Sequence, residues 1–123
     1  MRAYSLLAIA GLAIVPVAQA TVILETEGNN NAISSNVLPT FDAPGDSVLI
    51  DGGIVPDDVD FFQITVTGPA QIVASSFGRP NSSTGDTMLA LFDSNGVELA
   101  FDDDSGVSLF SSLEATVPAG TYF

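Results

Sequence analysis

The chain contains no cysteine, histidine, lysine or tryptophan. Without cysteine no disulfide can staple the fold. Without histidine, cysteine or lysine, neither a Ser-His-Asp arrangement nor a thiol nucleophile can be assembled. A carboxylate pair alone can serve glycoside hydrolysis, and Asp57 and Asp60 are the conceivable pair, but nothing around them in the sequence marks a substrate cleft. Positive charge is almost absent too, with two basic residues against 15 acidic ones. Binding to nucleic acid rests on neutralising phosphates with Lys and Arg, so that class of partner is excluded. No segment after residue 20 shows helical periodicity.

The first 20 residues stand apart. Arg2 gives a short positive start, Leu6 to Val15 is apolar throughout, Pro16 breaks the run, and Ala18-Gln19-Ala20 has the small-x-small pattern of a cleavage site. The apolar stretch is shorter than the roughly 20 residues a bilayer span needs, so a signal peptide is expected rather than a membrane helix. The product is expected to be secreted or displayed at the cell surface, beginning at Thr21. Loss of Arg2 leaves 15 acidic residues against Arg79 alone, a formal charge of −14. Such an excess repels itself in a compact state, unless the carboxylates are spread over solvated surface or hold cations.

Residues 21 to 46 are rich in Asn, Ser, Pro and Gly and read as an extended approach to a domain covering 47 to 123. From Ser47 on, short apolar runs alternate with turn signals, the pattern of an all-β fold. Phe62, Ile64 and Val66 alternate with polar residues and predict a half-buried strand, with Phe62 in the core. Thr87 to Phe92 is apolar throughout and predicts a strand covered on both faces, placing Phe92 in the core as well. Asn95-Gly96 is a hairpin signal, and Leu113, Ala115 and Val117 alternate again. Thr121-Tyr122-Phe123 reads as the start of a strand, and the last strand is expected to be incomplete there.

Four phrases then carry a resemblance: "ETEGNN" at 25–30, "DDVDFFQITV" at 57–66, "DTMLALFDSNGVELAFDDDSG" at 86–106 and "SLEATVPAGTYF" at 112–123. In order and spacing they are similar to the bacterial pre-peptidase C-terminal domain, over nearly all of the chain after the signal. The resemblance implies an antiparallel, jelly-roll-like β-sandwich of about seven to eight strands. It also implies a non-catalytic module of exported proteins, with a partner that is a protein or a component of the matrix or cell surface. The alternative is a surface-anchored adhesion or matrix protein in which cation binding is incidental. Relatives attached to clostridial collagenases bind calcium between the acidic N-terminal segment and an Asp-rich loop. By that match, Glu25, Glu27, Asn29 and Asn30 supply one half of a calcium site, and Asp57 and Asp60 the other. Gly28 departs from the pattern, standing where Pro is common, and Asn30 stands where some relatives have Asp.

The residue types agree with that reading. Calcium takes six to eight oxygens, from carboxylates, amides and carbonyls. Alternate residues of an extended chain point the same way, so Glu25 and Glu27 can face one ion together. In the 57–60 loop, Asp57 and Asp60 are expected to close on one side, with Asp58 outward. A second acidic patch, Asp93 with Asp102, Asp103 and Asp104, lacks the register of an EF-hand loop and is expected to be a solvated hairpin tip.

Overall fold

The computed structural model describes residues 21–52, 58–78 and 86–123. All regular structure among them is strand, as the alternating pattern predicts: β1 (Thr21–Leu24), β2 (Asn36–Val37), β3 (Val48–Asp51), β4 (Phe62–Val66), β5 (Ala70–Ser75), β6 (Leu89–Phe92), β7 (Glu98–Asp102), β8 (Ser112–Val117) and β9 (Gly120–Tyr122). No helix among the described residues is long and apolar enough to cross a membrane.

The strands form four hydrogen-bonded groups: β1–β3, β2–β4–β9, β5–β8 and β6–β7. The segment from 21 to 46 therefore takes part in the sheets, because β1 and β2 pair in parallel with β3 and β4. The longest ladder joins β5 and β8 antiparallel, from Ala70 opposite Val117 to Ser75 opposite Ser112. Its inward residues are apolar at every second position, which is why Ile72, Leu113 and Val117 reach the core while Val73 faces out. Val66, Leu91 and Tyr122 complete that core. The Tyr122 hydroxyl keeps a partner there, donating to the Pro118 carbonyl at 2.8 Å.

The β6–β7 connection is the hairpin that Asn95-Gly96 predicts. Gly96 adopts φ +78°, and its N–H donates to the Asp93 carbonyl at 3.0 Å. The Asp93 carboxylate accepts from the N–H groups of Asn95 (2.8 Å) and Val97 (2.9 Å), which lowers its pKa. Asp93 thus serves its own turn. It lies one strand length from Asp102, Asp103 and Asp104, at the other end of β7, so the expected single acidic patch is two separate features.

Two aromatic expectations are corrected. β6 is covered on one face only, with Leu91 buried and Ala90 exposed, so an unbroken apolar run does not mark a two-sided strand here. Phe92 lies outside the core cluster and stacks on Phe61, with ring centroids 6.5 Å apart and planes at 23°. Phe62 is half-buried and likewise outside the cluster.

Candidate metal centre

The chain leaves β1 in register with β3, and the Glu25 N–H continues the pairing by donating to the Asp51 carbonyl at 3.1 Å. It then bends. The Asn36 side chain holds Thr26 from both sides, accepting its N–H at 2.8 Å and donating to its carbonyl at 3.0 Å. Gly28 takes φ +98°. Proline, whose ring fixes φ near −65°, could not adopt that path. Beyond it the Asn29 carbonyl accepts the Phe61 N–H at 2.9 Å, which sets the segment beside Asp60.

These contacts bring Glu25, Glu27 and Asp60 together, with one carboxylate oxygen from each lying within 4.8 Å of the others. Room for Glu25 comes from Gly52, where a Cβ would overlap the Glu25 carboxylate and lie 2.8 Å from its Cβ. Asn29 closes the group from below. Its side chain is fully buried, and its Nδ2 donates to Glu25 Oε1 at 3.2 Å. Its Oδ1 has no hydrogen-bond partner, and neither has Oδ1 of Asp60. Buried polar atoms are nearly always satisfied, so these two oxygens, one of them on a member of the trio, call for a donor or a cation. Burial, a hydrogen bond shared with Glu25, and the charges of Glu25, Asp58 and Glu27 push the Asp60 carboxyl up to about 7.

The convergent donors are three carboxylates. That suits a hard divalent cation such as calcium, and gives no sulfur or imidazole to a softer metal. Glu25, Glu27 and Asp60 fit it, and Asn29 lies against them through the bond from its Nδ2 to Glu25. Asn30 stands aside, exposed, and its Nδ2 donates to Asp58 Oδ1 at 3.0 Å. Asp58 is therefore engaged by the N-terminal segment rather than turned outward. Asp57 lies outside the described residues. Sequence reasoning missed the Asn36 clamp, since a lone Asn in a polar stretch looks like any loop residue.

A second trio, Asp86, Asp103 and Asp104, is drawn together equally closely but is exposed throughout. Asp102 turns away from it, accepting from the N–H groups of Ser105 (3.1 Å) and Ser112 (2.7 Å); hydrogen bonds to these two residues lower its pKa. The backbone here is held by buried Ser111, whose Oγ donates to the Thr87 and Asp103 carbonyls. Among the described residues, the trio has no orphaned buried oxygen beside it. No family model matches the chain, and no curated protein sequence matches it.

Proposed function

We propose that the chain is an exported, non-catalytic β-sandwich module of the pre-peptidase C-terminal type, ordered by calcium and serving attachment to a protein or surface partner. One observation carries the calcium reading: Glu25, Glu27 and Asp60 converge, the buried Oδ1 of Asp60 has no partner, and the buried Asn29, itself with an unpartnered Oδ1, binds Glu25. A cation there would offset the repulsion of three carboxylates and would pin the 25–30 segment against the start of β4. In a domain without disulfides, that cross-link stands where a covalent staple otherwise would. The lack of histidine, cysteine and lysine supports a non-catalytic role.

The test is thermal unfolding of the chain from Thr21, with calcium and with chelator. Calcium at 100 times its dissociation constant should add about 2.7 kcal/mol of stability. An unchanged midpoint would remove calcium from the reading.

A further inference from the structure

The outer faces of two antiparallel ladders differ in chemistry. On β5–β8 that face is polar: Gln71 donates to Glu114 at 3.3 Å, Ser75 and Ser112 share a hydrogen bond at 2.9 Å, and Thr116 stands opposite Gln71. Val73 alone is apolar there. On β6–β7 the inner face sends Leu89, Leu91 and Ala100 to the core. The outer face carries Met88, Ala90, Leu99 and Phe101, all exposed, with Ala90 directly opposite Phe101. A strand face that stays in water normally alternates to polar residues, as β5–β8 does. A contiguous apolar face marks a surface that is covered in use. A strand continuing β9 would not cover it, because β9 lies beside β6 in the plane of the sheet, where Phe123 exchanges backbone hydrogen bonds with Phe92 at 2.8 and 3.0 Å.

The two ends of this face are acidic. Asp86 lies two residues before Met88 and Asp103 two residues after Phe101, so strand alternation carries both onto the outer side. With Asp104 they form the exposed trio. At the other end Glu98 is exposed, opposite Phe92.

We propose that the outer face of β6–β7 docks a segment of a partner protein whose apolar side chains lie between Lys or Arg residues. Burial of Met88, Ala90, Leu99 and Phe101 supplies the attraction. The acidic ends fix its sign and register, drawing cations to both ends of the apolar strip and turning acidic surfaces away. A second copy of this chain brings the same acidic ends and a formal charge of −13, so it is disfavoured as the occupant. Anionic lipid headgroups meet the same repulsion. The proposal names the partner chemistry for the attachment reading above and rests on it, but not on the cation.

The test uses the full chain in chelator, with isotope-labelled methionine methyl groups; Met1 and Met88 are its only methionines. The probe is the acetylated, amidated peptide Lys-Leu-Thr-Phe-Thr-Leu-Lys. It should shift the Met88 methyl resonance saturably. Lys-Ser-Thr-Ser-Thr-Ser-Lys, of equal charge, and Glu-Leu-Thr-Phe-Thr-Leu-Glu, equally apolar, should each bind at least about tenfold more weakly. Phe101→Thr, which keeps a strand-forming residue at an exposed position, should weaken the parent peptide to a similar degree. Val73→Thr, on the outer face of β5, should leave its binding unchanged. Equal binding of the serine peptide, or no Met88 shift by the parent at millimolar concentration, overturns the proposal. If amides on another surface shift instead, only the assignment to this face falls; if none shifts, the attachment reading loses its support as well. A Met88 methyl already shielded from a soluble relaxation agent without peptide also overturns it: shielding that grows with protein concentration means a second copy covers the face, and shielding that persists on dilution means the chain covers its own. An equal shift with phosphatidylcholine vesicles would make the face a lipid contact and overturn it likewise.

Discussion

The two acidic trios have the same number of carboxylates at the same closeness and differ in burial and in what lies beside them. Glu25, Glu27 and Asp60 converge from two segments tied by backbone hydrogen bonds, above a fully buried Asn29 with an unpartnered oxygen. Asp86, Asp103 and Asp104 are all exposed. In water, charges 4 Å apart interact by about 1 kcal/mol, and solvent and salt absorb most of the repulsion in the second trio. Glu25 and Asp60 are half-buried, with Glu27 exposed beside them, and desolvation followed by the neighbouring carboxylates pushes the Asp60 carboxyl up to about 7; Asp104 is raised by the same kinds of cause, in a trio exposed throughout. Carboxylate number does not distinguish the trios; withdrawal from water and an orphaned oxygen do.

The largest effect should come from neutralising one member of each trio. Asp60→Asn should abolish most of the calcium-induced rise in melting temperature and raise the midpoint measured in chelator, because it removes a buried repulsion. Asp104→Asn should change neither by more than about 0.5 kcal/mol, the usual range for an exposed surface change. Calorimetric scans of both variants, with and without calcium, make the comparison. Equal loss of the calcium response in the two would dissolve the distinction.

Gly52→Ala should come next. The new methyl group would take the space of the Glu25 carboxylate, which can swing away, but it would also lie 2.8 Å from the Glu25 Cβ, so the backbone must shift as well. The midpoint in chelator should therefore fall, and the calcium response should weaken to a fraction of its size. A calcium titration followed by isothermal calorimetry separates the two quantities.

Those residues also mark what the sequence made legible. Alternation over Phe62–Val66 and Leu113–Val117 and the Asn95-Gly96 turn predicted strands that the fold contains; β8 alternates between a dry and a wet face, while β4 is half-buried along its length up to the buried Val66. The run ending at Phe92 misled, since four apolar residues in a row look alike whichever face is covered. A register irregularity between Leu91 and Phe92 further marks the point where β6 passes from β7 alone to pairing with Phe123 as well. For the site, spacing placed Glu25 with Glu27, and resemblance joined them to Asp60. What stayed hidden was long-range: the burial of Asn29, the bond from Asn30 to Asp58, and the clamp of Asn36 on Thr26. Each depends on a contact between residues at least 10 positions apart or on enclosure by them, which no local pattern records.

pH should test the part that Asp60 plays. The folded Asp60 pKa of about 7 lies above its ordinary 3.8. Between those values the native state holds a proton that the unfolded chain has released, so the contribution to stability is full below about pH 4 and is lost as pH rises through 7. Calcium competes with that proton, and the shift in melting temperature it causes should therefore grow from about pH 5 to about pH 8. Desolvation and the neighbouring carboxylates raise the pKa of Asp104, in the exposed trio, in the same direction. Asp46, Asp93 and Asp102, which belong to neither trio, have lowered pKa values, so what they contribute is lost only as pH falls below the ordinary carboxylate range. A calcium shift independent of pH would mean that Asp60 does not share the ion's site.

The smallest effect should belong to Gly28→Ala. Nothing lies within 4 Å of a Cβ built there, so the substitution meets no steric neighbour, unlike the one at Gly52. Its cost is the backbone alone: φ +98° is a conformation that L-residues reach only at about 1–2 kcal/mol. If the 25–30 segment keeps its course, the substitution should lower the midpoint in calcium and leave the calcium-free midpoint less affected, because only the ion holds Glu27 in place. An equal fall under both conditions would show that the segment is docked by Asn36 and Phe61 without the ion's help. The cation would then fill a site already built rather than order the segment that carries it.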